Sequence, residues 1–276
     1  MPTQAEKAAT FRALHARPGA FVIPNPWDAG TAKILASLGF EALATTSLGL
    51  ANALGRPDGA GVVSRDEVLA NCRTIAAATE LPVNADLENG YAHEPKAAAQ
   101  MLILAAEAGV VGGSIEDATG DPAKPIYDFD HAVERVHAAV EAVRALPFPF
   151  VFTARAENLL HGRHDLDDTI RRLQAFEKAG ADVLYAPGLR DIPTITTVTR
   201  AVTKPVNVVM SAADPSLTVA ELARAGVKRI SVGGALSRLA LAAFIKGAQE
   251  MKDGGFTWVR DTVPAKDLKA IFRARP

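Results

Sequence analysis

At 276 residues, with 49% hydrophobic but only 6% aromatic residues and a formal net charge of −1, the chain can build one large core. It carries no cationic excess for nucleic acid or an anionic membrane. Its single cysteine, Cys72, excludes an internal disulfide, and no apolar run approaches the roughly 20 residues of a bilayer span. The opening M-P-T-Q-A-E-K lacks the basic-then-apolar order of a secretory signal, so the expectation is a cytoplasmic protein with a small-molecule ligand.

The Ala-rich segment 4–15 predicts a helix, ended by Arg17-Pro18-Gly19. Eight strand-like runs follow, at 20–24, 41–47, 83–88, 112–117, 150–157, 183–188, 206–210 and 229–233, each trailed by a helical or loop segment. Helix starts are signalled by Ser64 with Glu67, by Asp165, and by Ser216 ahead of 219–225. Gly39, Gly109, Gly180 and Gly226 each stand just before a strand, where a left-handed residue would close the helix. A long helix is expected over 235–252, a break at Gly254-Gly255, and a further helical piece over 264–273.

Eight β-then-α units in a chain of this length fit a closed (β/α)8 barrel better than an open doubly wound sheet, and no G-x-G-x-x-G follows the first strand. The reading is one α/β TIM-barrel domain over 1–276: an N-terminal helix in 1–19, the barrel in 20–252 and an extension in 253–276. The interior is expected to be mainly Ala, Val, Leu and Ile, as in helix-covered parallel sheets.

Barrel chemistry sits at the carboxyl ends of the strands. The second run ends in Thr45-Thr46-Ser47 and enters a long loop containing Asp58; the fourth ends in Glu116-Asp117, the fifth in T-A-R-A-E around Arg155 and Glu157. The third, V-N-A-D-L-E-N-G-Y (83–91), alternates so that Asn84, Asp86 and Glu88 would share a face. Two carboxylates ~4 Å apart repel by about 4 kcal/mol at an effective dielectric of ~20. A bound cation, a proton or a nearby arginine must offset that. Asp86, Glu88 and Glu116 form an all-oxygen set suited to Mg²⁺ or Mn²⁺, and no strand carries the H-x-H of a zinc site. The alternative is that these interior acids pair with Arg155 or a lysine and have no catalytic task.

Arg155 matches bidentate recognition of a carboxylate or phosphonate, or else merely neutralises Glu157 or Glu116. His161 and His164 follow the fifth strand and offer acid–base groups or simply solvated side chains. Cys72 reads as core packing. Gly233-Gly234 is either a phosphate cradle or a tight turn.

Across 21–273 these motifs resemble the isocitrate lyase / phosphoenolpyruvate mutase superfamily. A-D-L-E-N-G-Y (85–91) is similar to its D-x-D-x-G-[YF]. G-G-S-I-E-D (112–117), T-A-R-A-E (153–157), A-G-A-D-V-L-Y (179–185) and the anchoring loop 45–58 resemble further family segments. The resemblance implies Mg²⁺ (or Mn²⁺) on Asp86, Glu88 and Glu116, with Asp58 in the outer shell. It places Thr46, Ser47 and Leu48 with Asp86, Arg155 and Glu157 at the substrate. It also implies a homo-oligomer, dimer or tetramer, whose eighth helix exchanges between subunits.

The implied function is a lyase that cleaves or forms a C–C bond beside a 2-oxo acid enolate, acting on a small 2-oxo or 2-hydroxy dicarboxylic acid. The alternatives are C–P chemistry on phosphonopyruvate and a 2-oxo acid binding barrel without turnover. The family's cysteine-bearing loop is replaced by A-T-G-D-P-A-K-P-I-Y (118–127), leaving Lys124 and His161, beside Arg155, as catalytic candidates. Glu88 stands for an aspartate, Ser47 for a glycine and Pro187 for the mutase histidine.

Overall fold

The computed structural model describes residues 2–59 and 61–273. Its strands are β1 (Phe21–Ile23), β2 (Leu43–Ala44), β3 (Val83–Asp86), β4 (Gly112–Glu116), β5 (Val151–Arg155), β6 (Val183–Tyr185), β7 (Val206–Val209) and β8 (Arg229–Ser231). All pair in parallel, in the order β1-β8-β7-β6-β5-β4-β3-β2. The Ala44 N–H donates to the Pro24 carbonyl at 3.0 Å across the remaining seam, which brings the sheet round into a (β/α)8 barrel.

Helix α1 (Gln4–Ala16) precedes the barrel. Helices α2 (Ala29–Ser37), α3 (Ser47–Ala53), α4 (Arg65–Ala77), α5 (Pro95–Glu107), α6 (Phe129–Arg144), α7 (Leu166–Ala179), α8 (Ile192–Ala201), α9 (Val219–Arg224) and α10 (Ala235–Lys252) alternate with the strands, and α11 (Ala265–Arg273) ends the described chain.

The punctuation in the sequence acts as physical chemistry requires. Ser64 and Glu67 form a reciprocal capping box at α4, Asp165 accepts the Asp168 N–H at α7, and Gly39, Gly109, Gly180 and Gly226 all adopt positive φ. The expected cap at Ser216 is displaced to Thr218, whose hydroxyl accepts the Glu221 N–H while Glu221 caps in return. Ser216 instead donates to Asp214 in the preceding turn.

Two apolar clusters hold the molecule. The larger lies between the outer face of the sheet and the helices and is built from Ala, Val, Leu and Ile with Phe150, Phe152 and Phe176. The smaller is the barrel floor, where Ala8, Phe11 and Leu14 of α1 pack on Phe21, Ile23, Ala44, Val151 and Val183. Gly112 is needed there: a Cβ would lie 2.7 Å from both Phe11 and the Asn84 carboxamide and 3.0 Å from the Val151 carbonyl. Above this plug the lumen departs from the apolar expectation. Asn84, Thr153, Asn207, Arg229 and Ser231 are buried, and the Arg229 guanidinium reaches from β8 to Thr153 on β5 across the lumen. Cys72 is fully buried in α4, its thiol pushed up to about 12 by burial, in keeping with packing.

Helix α10 packs on α3 and on the 3₁₀ turn Thr257–Asp261, leaving Leu239 (67%), Phe244 (72%) and Ile245 (64%) exposed. The chain then returns so that α11 lies against α2, with the Lys33 ammonium on the Phe272 carbonyl. Among the described residues no helix is long and apolar enough to cross a membrane.

Candidate active site

The carboxyl ends of β3, β4 and β5 converge on one guanidinium. Register sets Glu116 beside Arg155, and Arg155 beside Tyr185. Arg155 Nη1 lies 3.0 Å from Asp86 Oδ1 and 2.9 Å from Glu116 Oε1, while its Nε donates to Glu157 Oε1 at 2.7 Å. The Tyr185 ring takes its face at 4.8 Å. Burial alone would discharge so enclosed a group, but Glu116, Glu157 and Asp86 outweigh it and hold the guanidinium firmly charged.

Asp86 is also fixed from β2. Its N–H donates to Thr45 Oγ1 at 2.9 Å, and its Oδ2 accepts the Ser47 N–H at 3.0 Å. The long loop expected after the second strand instead begins with helix α3, N-capped by Thr46. The first turn of α3 therefore aims backbone N–H groups toward the strand ends. Gly49 permits this close turn, since a Cβ would sit 2.6 Å from Thr46 Cγ2. Gly233-Gly234 is likewise a close approach: a Cβ on Gly234 would lie 2.4 Å from Leu48 Cδ2.

Glu88 does not share the pleat of Asp86 as the alternation suggests. β3 stops at Asp86, Leu87 buries its side chain in the outer core, and Glu88 takes φ +46 as the chain enters the Asn89-Gly90 turn. Its carboxylate accepts Tyr91 Oη at 2.8 Å. Burial, with Asp86 and Asp58 nearby, pushes Glu88 up to about 7 despite that hydrogen bond. Arg135 clamps the turn from behind through the Ala92, His93 and Asn89 carbonyls and stacks 4.4 Å over Tyr127. Burial also raises Glu116 well above the usual carboxylate range, with Arg155 opposing. Asp58 lies at the rim, raised by its partial burial and by Asp86.

Behind β5, Asp117 accepts the Glu157 N–H at 2.7 Å and pairs with Arg172 at 3.0 Å. Burial brings Asp117 up to about 7. That pair fixes Glu157, which in turn aligns Arg155. Asn25 closes the seam, donating to the Thr45 carbonyl and accepting the Val232 and Gly233 N–H groups. Neither role was legible in the sequence, where Asp117 is simply the end of G-G-S-I-E-D and Asn25 follows an apolar run.

A cavity of about 170 Å³ opens here, lined among others by Ser47, Leu48, Asp86, Arg155, Tyr185 and Gly233. Drug-sized pockets run from ~300 Å³ upward, so this one suits a small acid. A larger hollow of about 810 Å³ lies at the opposite end, between α1 and the loop 145–150. Barrel chemistry belongs to the strands' carboxyl ends, so the smaller cavity is the candidate site. Lys124 and His161 are not brought into it. Lys124 Nζ bonds Asp128 Oδ2 at 2.5 Å on an exposed loop, and His161 and His164 are exposed beyond β5. Local hydrogen bonds hold both away: the Asp121–Lys124 turn folds on itself, with the Thr119 hydroxyl on the Lys124 carbonyl, and the His161 N–H closes a turn on the Glu157 carbonyl.

Among the described residues no three carboxylates converge as a ready cation cage. Asp86 and Glu116 rest on Arg155, and Glu88 rests on Tyr91. The donor chemistry nevertheless fits a hard divalent ion. Burial displaces Asp58, Glu88 and Glu116 toward the neutral form, and repulsion from neighbouring acids adds to it.

A barrel with acids and an arginine at its strand mouths is a class with known members. The sequence profile of the phosphoenolpyruvate phosphomutase family matches residues 11–252, and the chain belongs to that family, within the isocitrate lyase / phosphoenolpyruvate mutase superfamily of enzymes. In particular, it is similar to a lyase/mutase candidate from Burkholderia cenocepacia J2315, at 59% identity over 98% of this chain and 97% of the other, with a TM-score of 0.95. Escherichia coli 2-methylisocitrate lyase is 30% identical over 226 residues, covering 79% of this chain and 75% of its own. The crystal structure of a 2,3-dimethylmalate lyase superposes with a TM-score of 0.85 at 28% identity, over 98% of this chain and 95% of that one.

Proposed function

We propose that the protein is a divalent-metal-dependent lyase that makes or breaks a C–C bond beside the 2-oxo group of a small dicarboxylic acid. Carrying this reading is the convergence of Asp86, Glu116 and Glu157 on Arg155 at the mouth of a small cavity. The two lyases similar to this chain are named for 2-methylisocitrate and 2,3-dimethylmalate, both branched polycarboxylic acids.

Asp86, Glu88 and Glu116 would hold Mg²⁺ (or Mn²⁺), with Asp58 outside them; Asp86 and Glu116 must then turn from Arg155. A bound ion of this kind supplies Lewis-acid stabilisation of charge on a chelated 2-oxo acid. The chain's own part is electrostatic. Arg155, released from two of its acids and still aligned by Glu157, presents its remaining N–H groups to a substrate carboxylate and to charge developing beside it. Thr46, Ser47 and Leu48 would offer N–H groups at the start of α3 to the same anion, that of Ser47 once Asp86 has turned away. The fixed guanidinium is set before substrate arrives, so little reorganisation is needed during reaction.

Calorimetry with Mg²⁺ and oxalate tests the site. Asp86→Ala should lose oxalate affinity by 100-fold or more (about 2.7 kcal/mol), and unchanged affinity would count directly against it. The family match itself favours C–P chemistry as a second reading. Phosphate released from phosphonopyruvate would establish that reading, pyruvate or glyoxylate from a hydroxy diacid the first, and tight binding with neither product a barrel without turnover. The reading also takes the protein as a cytoplasmic homo-oligomer, dimer or tetramer, in which a second copy covers Leu239, Phe244 and Ile245 of an exchanged α10. Light scattering tests this, since a monomer in dilute solution contradicts it.

A further inference from the structure

Beneath Arg155 lies a second guanidinium for which the proposed reaction has assigned no task. Arg229 is 3% exposed in the lumen of β8. Its Nε donates to Asn207 Oδ1 at 2.8 Å and its Nη2 to Thr153 Oγ1 at 3.1 Å. Both acceptors are neutral, and Nη1 has no acceptor among the described residues. Arg155 and Arg172, comparably buried, each face carboxylates. A buried cation without a counter-charge is costly, and an anionic guest would supply the missing charge.

Arg229 lines the same cavity as Ser47, Asp86, Arg155 and Gly233, so the hollow joins the acid cluster to an unused donor.

We propose that Arg229 is a specificity-determining residue that binds the distal carboxylate of the substrate. This rests on the 2-oxo or 2-hydroxy acid reading above, in which the proximal carboxylate occupies Arg155 and the first turn of α3. The far end of a diacid entering a cavity of about 170 Å³ then has the floor as its destination, and Arg229 is the cation waiting there. A monocarboxylic acid would fill the upper part and leave Nη1 unanswered. The selected ligand class is therefore a short dicarboxylate.

Malate and lactate share a 2-hydroxy acid head and differ in the distal carboxylate, so the ratio of their dissociation constants, measured by calorimetry with Mg²⁺ present, reads the floor alone. For the wild-type protein malate should bind about 10- to 100-fold more tightly, the range for a charge-assisted pair. In Arg229→Gln, which can keep the bond to Asn207, the ratio should fall below about threefold while oxalate affinity stays within about threefold. Should the Gln variant fail to fold, Arg229→Lys keeps the charge without the fork and should lower the ratio severalfold.

A ratio that survives in either folded variant, or equal binding of malate and lactate by the wild type, overturns the assignment and leaves an ordered water as the partner of Nη1. Absence of oxalate binding by the wild type would take down both readings. Oxalate binding with an unchanged ratio takes down only this one.

Discussion

Replacing Arg155 by methionine should destabilise the protein severely, and in a way that metal repairs. The guanidinium lies 2.7–3.0 Å from three carboxylates, one of which, Glu157, has a side chain only 2% exposed. Removing one partner of a buried pair typically costs about 3–5 kcal/mol, because the remaining charge is left unanswered. At roughly 2–4 °C per kcal/mol for a domain near this size, melting should fall by about 6–20 °C. Glu116 is already displaced toward its neutral form and gains an escape by protonation, so the loss should be greatest near pH 8 and smaller near pH 5.5. Mg²⁺ supplies positive charge to the same acids and should raise the variant's melting temperature more than the wild type's. Thermal melts followed by circular dichroism, at both pH values with and without Mg²⁺, decide the matter. A loss below about 1 kcal/mol, or one insensitive to both pH and Mg²⁺, would refute the electrostatic reasoning.

Glu88, raised to about 7 when folded, stabilises the fold most below its unfolded value near ~4.3 and loses that contribution as pH rises through about 7. Glu88→Gln should therefore flatten the stability profile between about pH 4.5 and 7 relative to the wild type, as denaturation at a series of pH values will show. Because ligation needs the carboxylate, Mg²⁺ affinity should weaken as pH falls through about 7, and calorimetry in buffers of different ionisation enthalpy should record protons released near pH 6.5. Gly112→Ala forces a Cβ against Phe11, Asn84 and the Val151 carbonyl and should cost about 1–3 kcal/mol in urea denaturation, with no metal dependence. Lys124→Ala and His161→Ala remove exposed side chains outside the cavity, so steady-state kcat should change by less than about threefold in either.

The barrel was readable because its punctuation is local. Capping pairs such as Ser64 and Glu67, and glycines that must take positive φ, announce themselves without any knowledge of the partners. Helix α3 is not signalled in the sequence because S-L-G-L-A-N-A is short and holds Gly and Asn, poor helix formers; it stands on its Thr46 cap and on packing against α10. The acids and Arg155 were visible at strand ends, but which would pair depended on side-chain reach across β3, β4 and β5. Glu88 leaves the expected face because alternation extends only as far as the strand does, and the sequence does not mark Asp86 as its last residue. The polar lumen was invisible for a related reason: Thr153 and Arg229 are 76 residues apart and meet only once the barrel closes.

The stopper that α1 drives into the barrel floor, with Phe11 at its centre, has a kinetic corollary. A tube sealed at one end is loaded and emptied through the same opening. Were the proposed cleavage to take place there, the fragment nearer Phe11 would wait for its companion to depart, and the order of product release would be set by depth.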